Sequence, residues 1–435
     1  MRGKRGVSFG TILTLLLTAA VIAGCVVVFA KIETGNPRAH MSAQKVFGLM
    51  GDALNGTTPV PVPEATVRTV TVTLAPAPSP TAAPQKATQA PKKKTDAHSF
   101  TLTVGGLVAF ESEISDSVYN KSQKTFNYKD ILSLIREKMD GDMNLISLGQ
   151  VINTEDQKYG DALAPQSIVA GIKAAGIDDV LLNTSHVLDQ DIQGVNGTVS
   201  SLTKEGLSCG GVTAGSAQQN RMIQLNGAKI ALLAYTESLT AKGKINREKQ
   251  PKVMTLYSQQ QAQKDLAAAR KNGADFIIVS MYWGKKDTTG ITSAMRSTAA
   301  FLAENGADLV LGYQPSRVLP METMSVPDEN GIQRQCLIAY SMGTLLGESR
   351  EKYDISGILL HLKVSCSSNG AEYDLMEYTP TYICRQKISS KIQYRVVSAL
   401  DAPPDFMEAK QKEYMANALK RIRTTLESSP VTERK

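Results

Sequence analysis

Short apolar runs that end in polar, glycine-containing loops recur along the second half of the chain. Leu309–Leu311 is followed by Gly312-Tyr313-Gln314-Pro315-Ser316, and Cys336–Ala339 is followed by Tyr340-Ser341-Met342-Gly343-Thr344. Apolar runs of this length predict short buried strands. Ligands bind outside the carboxyl ends of the strands in open α/β sheets, so we expect a functional site at these loops.

A repeated unit accompanies these runs. The segments AAGIDDVLLNTSH, KNGADFIIVSMYWG and ENGADLVLGYQPS each place a glycine, an aspartate, a buried strand and a polar loop in the same order. Helical spacing precedes each glycine, over Ser167–Ala175, Gln259–Asn272 and Ser293–Asn305. This alternation predicts an α/β fold.

Other segments indicate that the sheet is mixed. Asn226-Gly227 lies between two apolar runs, an arrangement typical of a β-hairpin. Ile355–Val364 and Tyr373–Ile383 predict two antiparallel strands. Phe100–Val104, which ends at Gly105-Gly106, predicts the first strand of the fold. Further elements are predicted as strands at Asn144–Leu148 and Val180–Leu182 and as helices at Asp130–Met139 and Pro404–Ser428.

The N-terminal segment predicts a membrane anchor. Phe9–Ala30 is almost wholly apolar and follows a basic start of the chain. It is long enough to cross a bilayer, and the basic flank predicts that the rest of the chain lies outside the cytoplasm. A cleaved signal peptide and a lipoprotein with Cys25 as lipid carrier are the alternatives. We favour an uncleaved, single-pass anchor over residues 1–31, because Val26–Ala30 stays apolar.

Residues 32–98 are predicted to be a membrane-proximal segment and linker. Thr57–Ala97 contains eight prolines. Proline fixes φ and removes a hydrogen-bond donor, so this stretch predicts an extended spacer and no core. The folded domain is predicted over residues 99–390, followed by a C-terminal segment with a helix over residues 391–435.

Charge is distributed unevenly. Residues 1–98 contain 11 Lys and Arg and 4 Asp and Glu, so they account for the whole formal net charge of +7. The remainder has equal numbers of basic and acidic residues and lacks the basic footprint that nucleic acid requires. We therefore expect no nucleic-acid partner.

The five cysteines form no CxxC pair and no Cys/His cluster, which argues against a zinc site. Cys366 and Cys384 fall on neighbouring predicted strands, and a disulfide between them is one interpretation in an oxidising compartment. Free buried thiols are the other.

The ordered loops resemble the motifs of the CapA-type capsule-synthesis proteins, which are linked to poly-γ-glutamate production. Trp283-Gly284 matches the family's His-Trp-Gly, and Gly312 and Pro315 match its Gly-His-His-Pro-His-Val. Tyr340-Ser341 and Gly343 match its Tyr-Ser-Leu-Gly-Asn-Phe. The resemblance covers about residues 99–385. It implies a metallophosphatase-like α/β/β/α sandwich with mixed sheets.

Most residues at the family's metal-binding positions are replaced in this sequence. Its Gly-Asp reads Gly105-Gly106 here, its Asn-Leu-Glu ends in Gly149, and its histidines correspond to Tyr282, Tyr313, Gln314 and Ser316. Dinuclear sites need several carboxylate and imidazole ligands. We therefore predict no metal centre and no cofactor.

One candidate catalytic pair is present at the positions of the family's Asn-Asn-His motif and the aspartate that follows it. His186 with Asp189 would act as a general acid/base whose tautomer the carboxylate fixes, with Ser185 as a neighbouring hydroxyl. The alternative, which we favour, is that His186 hydrogen-bonds within its loop and Asp189 begins the next helix. No nucleophile can be named beside them.

Aromatic, amide and guanidinium groups in the same loops predict a ligand-binding crevice for a sugar or a carboxylate-bearing polymer. The crevice residues are Tyr282, Trp283, Tyr313, Gln314, Arg317 and Ser341. Packing of the loops is the alternative role of Trp283 and the tyrosines.

The sequence thus predicts a membrane-anchored, extracytoplasmic CapA-like protein in capsule or envelope polymer synthesis. We expect a non-catalytic binding or scaffold protein that has lost the metal centre, with the membrane and an anionic envelope polymer or capsule-synthesis proteins as partners. The alternative is a divergent, metal-independent hydrolase or ligase component that acts on the polymer.

Overall fold

The structure is a computed structural model that describes residues 98–154, 158–327, 331, 333–348, 356–368, 370–388 and 391–434. The predicted anchor and nearly all of the predicted linker, residues 1–97, lie outside this part of the chain. Within it, no helix combines the length and the apolar character needed to span a bilayer.

In the described residues, nine strands form the first mixed sheet. They are β1 (His98–Val108), β4 (Met143–Leu148), β7 (Asp179–Leu181), β8 (Ser208–Gly210), β15 (Thr344–Leu346), β16 (Ser356–Ser367), β17 (Gly370–Ile388), β18 (Lys391–Ser398) and β19 (Thr432–Glu433). The order is β18-β17-β16-β1-β4-β7-β8, with β15 beside β1 and β19 beside β17. β1, β4, β7 and β8 are mutually parallel, so their carboxyl ends meet at one edge.

A second mixed sheet contains six strands within the described part of the chain. They are β9 (Arg221–Leu225), β10 (Ala228–Thr236), β11 (Phe276–Tyr282), β12 (Leu309–Tyr313), β13 (Met321–Pro327) and β14 (Gln333–Ala339). The order is β13-β14-β12-β11-β10-β9, and the four central strands are parallel. The predicted hairpin is confirmed, because β9 and β10 are antiparallel and both Asn226 and Gly227 have positive φ.

Two short ribbons and the helices complete the fold. The ribbons pair β2 (Tyr119–Asn120) with β3 (Thr125–Phe126) and β5 (Val151–Ile152) with β6 (Leu163–Ala164). The α-helices are α1 (Ser112–Val118), α2 (Ile168–Ala174), α3 (Asp191–Lys204), α4 (Ala241–Lys249), α5 (Gln259–Lys271), α6 (Ser293–Glu304) and α7 (Ala409–Leu426). α5 and α6 begin where predicted, because the Ser258 and Thr292 side chains cap them. The helix predicted at Asp130–Met139 is a shorter 3-10 helix, Ser133–Lys138.

Strand alternation produces three hydrophobic cores and thereby four layers. In β11, Phe276 and Ile278 face the core between the sheets, whereas Ile277 and Val279 face the core under α5 and α6. A third core lies on the outer face of the first sheet and includes apolar side chains of α2, α3 and α7. Helices, sheet, sheet and helices form the α/β/β/α sandwich with mixed sheets that the resemblance implied.

The C-terminal segment continues the first sheet. β18 pairs antiparallel with residues 381–388 of β17, and β19 pairs parallel with Glu377 and Tyr378 of β17 along the same edge, opposite β16. Met415 and Ala418 of α7 pack into the outer core, and Ile422 and Leu426 pack between the sheets. The segment after residue 390 therefore shares both the sheet and the cores of the domain.

The disulfide interpretation is wrong. Cys366 lies opposite Ala371, and Cys384 lies opposite Arg395. Cys366 faces the core between the sheets, whereas Cys384 faces the helix-covered core, so the two thiols lie on opposite sides of the sheet. The four cysteines of the described residues are free and buried, as the alternative predicted.

Candidate functional site

A cavity of about 600 Å³ opens where strands of both sheets end. The first sheet contributes residues at or after the carboxyl ends of β1, β4 and β7, and the second sheet contributes residues at or after the ends of β11 and β12. Its lining side chains include Leu107, Glu111, Asp161, His186, Tyr282, Lys286, Gln314, Ser316, Arg317 and Glu348. A concave site of this volume is typical of ligand binding. Its position is the one that the loop pattern predicted.

Asn183 joins the two sheets directly behind the cavity. Its side-chain amide donates to the Tyr235 carbonyl oxygen at 2.9 Å and to the Ser280 carbonyl oxygen at 3.3 Å. In return, Thr236 Oγ1 donates to the Asn183 carbonyl oxygen at 2.6 Å. These groups are buried, so the hydrogen bonds fix the loop after β7 against the ends of β10 and β11.

His186 and Asp189 form the hydrogen-bonded pair that the sequence suggested. His186 Nδ1 lies 2.7 Å from Asp189 Oδ2. The His186 side chain is 44% exposed, whereas the Asp189 side chain is 10% exposed. Because the carboxylate oxygen accepts, Nδ1 carries a proton and Nε2 is left to the cavity. The geometry fits both the acid/base role and the loop-stabilising role.

A second element holds Asp189 in place. Thr240 Oγ1 donates to Asp189 Oδ1. Thr240 Oγ1 also accepts a hydrogen bond from the Gly243 backbone nitrogen at the start of α4. Asp189 therefore connects the histidine loop to α4. The sequence expectation that Asp189 begins a helix was wrong, because α3 begins two residues later, at Asp191.

Three of the predicted crevice residues are packed away from the cavity. Trp283 is fully buried in the core under α5 and α6, where its Nε1 donates to the Tyr340 carbonyl oxygen at 3.0 Å. Tyr313 is 1% exposed and lies in the core between the sheets. Ser341 is buried and donates to the Pro315 carbonyl oxygen. Trp283 points away from the cavity because it directly follows Tyr282, which lines the cavity, and successive side chains of a strand face opposite sides.

The other three predicted crevice residues, Tyr282, Gln314 and Arg317, do line the cavity. Tyr282 hydrogen-bonds to the Ser185 side chain, and burial raises its pKa. Gln314 has a left-handed backbone, with φ of 97°. Such a backbone conformation is unfavourable for residues other than glycine, and it occurs most often at functional sites. The amide oxygen of Gln314 is buried and has no hydrogen-bond partner among the residues that the structure describes.

Charged groups that the sequence analysis missed occupy one wall of the cavity. Glu111 accepts a hydrogen bond from the Glu348 backbone nitrogen, and Asp161 accepts one from Ser112 Oγ at 2.8 Å. Burial raises the pKa of Glu111, and the nearby Lys286 opposes this shift. The signal that could have found these groups is the position of Glu111, three residues after the first strand ends.

Comparison with known proteins identifies the family. The sequence profile of the bacterial capsule synthesis protein family PGA_cap matches residues 101–349. This chain is a PGA_cap protein. It is also similar to the PGA biosynthesis protein CapA of Bacillus subtilis (strain 168), with 24% identity over 215 residues. The matched region is 48% of this chain and 53% of that relative, so the chain aligns with about half of the relative's length.

Solved structures similar to this PGA_cap protein include two enzymes. The NAD nucleotidase of Haemophilus influenzae is 14% identical, with a TM-score of 0.41, and the match covers 75% of this chain and 60% of that chain. The calcineurin-like phosphoesterase YfkN of Bacillus subtilis is 11% identical, with a TM-score of 0.38 and coverage of 77% and 99%.

Gly106, which corresponds to the aspartate of the family's Gly-Asp motif, has no room for a side chain. A Cβ atom at Gly106 would lie 2.5 Å from the Gly343 carbonyl oxygen, so no aspartate fits there on this backbone. The next residue, Leu107, lines the cavity instead. No carboxylate therefore stands at the Gly105-Gly106 position of the motif, and the apolar side chain of Leu107 lines the cavity beside it.

The cavity residues do not fit the dinuclear metal centre that a metallophosphatase-like fold implies. The lining residues at the family's motif positions are Gly149, His186, Tyr282, Gln314 and Ser316. Only His186 offers an imidazole nitrogen, and hard or borderline divalent cations need several carboxylate or imidazole ligands. Across the described part of the chain, no group of three or more His, Cys, Asp or Glu side chains is arranged to hold a metal ion.

Proposed function

We propose that this PGA_cap protein is a membrane-anchored, extracytoplasmic binding or scaffold component of capsule or envelope polymer synthesis. Its ligand is an anionic polymer, poly-γ-glutamate or a related polycarboxylate, and its site works without a metal centre. The observation that carries this proposal is the composition of the strand-end cavity. Lys286 and Arg317 line it together with the carboxylates Glu111, Asp161, Asp287 and Glu348, and among the lining residues at the family's ligand motifs only His186 offers an imidazole or carboxylate group.

The cavity offers groups suited to a carboxylate ligand. The Lys286 ammonium provides a compact positive charge and hydrogen-bond donors for a carboxylate, and the Arg317 guanidinium lies on the same lining. His186 Nε2 and the Gln314 amide add neutral hydrogen-bonding groups. The acidic residues Glu111 and Glu348 would repel a second carboxylate on their side, which gives the bound polymer one preferred orientation.

Polymer binding tests this function. Fluorescence anisotropy with labelled poly-γ-glutamate should show binding to the wild-type protein, and Lys286→Gln should weaken it about tenfold, the value of one charge-assisted hydrogen bond. Lys285→Gln is the matched control, because Lys285 is exposed and lies outside the cavity lining. Equal affinity in both variants would remove the cavity as the polymer site. Stoichiometric manganese, zinc or iron retained after desalting would overturn the metal-free part of the proposal.

The anchor is part of the proposal and depends on Phe9–Ala30, which lies outside the described residues. Its length and basic flank support a single-pass helix. The full chain should remain in the membrane fraction after alkaline carbonate extraction. A chain that lacks residues 1–31 should not. Recovery of the full chain in the carbonate supernatant would contradict the anchor.

The His186–Asp189 pair supports a second candidate, a metal-independent hydrolase or ligase component. An imidazole held by a carboxylate and half exposed to a cavity meets the geometric requirement for general acid/base catalysis. If the protein turns over a polymer, His186→Gln should abolish turnover and preserve binding. An unchanged rate would dismiss this candidate.

A further inference from the structure

The backbone at Gln314 is strained in a way that sets it apart from the rest of the fold. Of the four non-glycine residues with positive φ in the described part of the chain, only Gln314 lines the strand-end cavity. The other three have φ between 49° and 58°, near the left-handed helical region, whereas Gln314 at 97° lies well beyond it. Pro315 follows, and a residue before proline is restricted further. Glycine would adopt this conformation at a lower cost.

The surrounding loops impose this conformation. Before Gln314, the Trp283 backbone nitrogen donates to the Tyr313 carbonyl oxygen at 3.2 Å. After it, Ser341 Oγ donates to the Pro315 carbonyl oxygen at 3.0 Å. Both neighbours of Gln314 are therefore fixed by buried groups, which is the condition under which a strained residue persists in a folded protein.

The side-chain amide of Gln314 adds a second cost. Its Oε1 is buried and has no hydrogen-bond partner among the described residues, and a buried unpaired acceptor is unfavourable. Because Gln314 lines the cavity, the amide nitrogen is the end of the side chain that can meet a ligand. Glycine at this position would remove both costs, so the glutamine destabilises the protein when no ligand is bound.

Charge alone does not decide where a ligand carboxylate binds in this cavity. The lining contains cations and carboxylates, namely Lys286, Arg317, Glu111, Asp161, Asp287 and Glu348. The loop that carries Lys286 contacts the loop of Gln314, because the Ser316 backbone nitrogen donates to the Lys286 carbonyl oxygen at 2.9 Å. A neutral, directional donor next to Lys286 can orient a carboxylate by geometry, which net charge cannot do.

We propose that Gln314 is the specificity-determining residue of the cavity and that its Nε2 donates to the α-carboxylate of one γ-glutamyl unit, beside the Lys286 ammonium. This inference rests on the proposed function, because it assumes that the cavity binds the polymer. The hydrogen bond to the ligand offsets the cost of the strained backbone and of the unpaired oxygen. Gln314 therefore weakens the free protein and strengthens the complex, a combination typical of functional sites.

Stability and affinity should change in opposite directions when Gln314 is replaced. Gln314→Gly removes the Cβ atom and the unpaired oxygen, so the Tm of the ligand-free protein should rise by about 2 °C. The same variant lacks the donor and should bind poly-γ-glutamate about tenfold more weakly. Gln314→Glu keeps the size and the backbone strain but presents a carboxylate that repels the ligand. Its affinity should fall about a hundredfold, without a rise in Tm.

Thermal unfolding and fluorescence anisotropy with labelled poly-γ-glutamate measure both quantities on the full-length protein in detergent. Lys124→Gly is the matched control. Lys124 also has a positive φ, of 53°, but it lies between β2 and β3 and outside the cavity lining. Its replacement should leave the affinity unchanged. If Lys124→Gly weakened binding as much as Gln314→Gly does, the loss would come from the added glycine and the assignment would be overturned.

The remaining outcomes separate this inference from the proposed function. Unchanged affinity in both Gln314 variants, together with weaker binding by Lys286→Gln, would overturn the role of Gln314 and keep the cavity. A fall in both Tm and affinity in Gln314→Gly would show that the side chain holds the loop, and it would also overturn the inference. Absence of polymer binding by the wild-type protein would overturn the proposed function and the role of Gln314 together.

Discussion

Two histidines of this protein lie near an aspartate, but one is half exposed at the cavity and the other is buried in the first sheet. His186 is half exposed at the cavity and contacts Asp189 directly. His361 is buried on β16, and the guanidinium of Arg434 lies between it and Asp140. The comparison shows that the protonation of a histidine near an aspartate depends on whether the two side chains contact each other directly or an arginine lies between them.

The protonation state of His361 follows from its neighbours. Arg434 Nη1 can only donate, and it lies 2.9 Å from His361 Nδ1. Nδ1 is therefore an acceptor, and Nε2–H donates to Thr379 Oγ1 at 2.9 Å. Burial, together with the positive charge of Arg434, lowers the pKa of His361 to about 4. The 3.8 Å approach of Asp140 to His361 is thus no ion pair.

Arg434 also closes the C-terminus onto the first sheet. Its two terminal nitrogens donate to the two Asp140 oxygens at 3.0 and 2.7 Å. β19, which ends at the preceding residue, is parallel to β17. The buried histidine therefore belongs to a C-terminal latch, defined here as Asp140, His361 and Arg434, whereas the exposed one belongs to the ligand site.

The largest expected effect in this comparison is the acid sensitivity that His361 confers. An unfolded histidine has a pKa of about 6.5. Between that pH and about 4 the unfolded chain binds a proton that the folded chain excludes, so the free energy of unfolding falls as the pH drops. The loss amounts to about 3 kcal/mol across this window. His361→Gln should remove this part of the pH dependence.

Urea denaturation at neutral pH and at the acidic end of that window measures this difference for each protein. His186→Gln serves as the control, because His186 is half exposed and outside the latch. If wild type and His361→Gln lose equal stability on acidification, the neutral, buried state assigned to His361 is wrong.

The second effect concerns the latch carboxylate. Asp140→Asn should lower the free energy of unfolding by about 1–2 kcal/mol, because it replaces a bidentate charge-assisted contact that is half exposed. It should also speed proteolysis of the C-terminal tail. Asp401→Asn removes the exposed partner of Lys138 and should cost under about 0.5 kcal/mol. Similar costs in the two variants would show that Arg434 gains nothing from its two-point contact.

The smallest effect on stability is expected at the ligand site. Asp189→Asn should cost about 1 kcal/mol or less, since His186 remains solvated and Thr240 keeps an acceptor. It should change the tautomer of His186, because the acceptor that holds the proton on Nδ1 is weakened. Nitrogen-15 chemical shifts of the imidazole report this change. Asp191→Asn, near the same loop, should leave the tautomer unaltered.

Local patterns predicted much of the architecture. The glycine after each helix has positive φ at Gly176, Gly273 and Gly306, as the repeated unit required. Helical spacing placed the starts of α5 and α6 correctly, and the structure shows that the Ser258 and Thr292 side chains cap them. These signals are encoded within a few residues, and the long-range packing of the sandwich agrees with them.

The site was predicted less completely. The loops were located, and His186, Tyr282, Gln314 and Arg317 do line the cavity. The sequence predicts Trp283 as an aromatic face of the crevice, yet Trp283 directly follows Tyr282, and adjacent strand residues face opposite sides. Glu111 and Glu348 come from distant parts of the chain, and no local pattern signalled that they meet.

The sequence by itself determined the repeated α/β units, the hairpin at Asn226-Gly227 and the loops that carry the site, because hydrophobic period and turn chemistry act over neighbouring residues. Only the tertiary structure decided which side chains are exposed at the cavity and which are buried in each core. It placed Cys366 and Cys384 in separate cores, His186 at the cavity and His361 in the C-terminal latch. Those outcomes depend on how two sheets stack and on which face of a strand each residue occupies, and both are set by contacts between residues far apart in the chain.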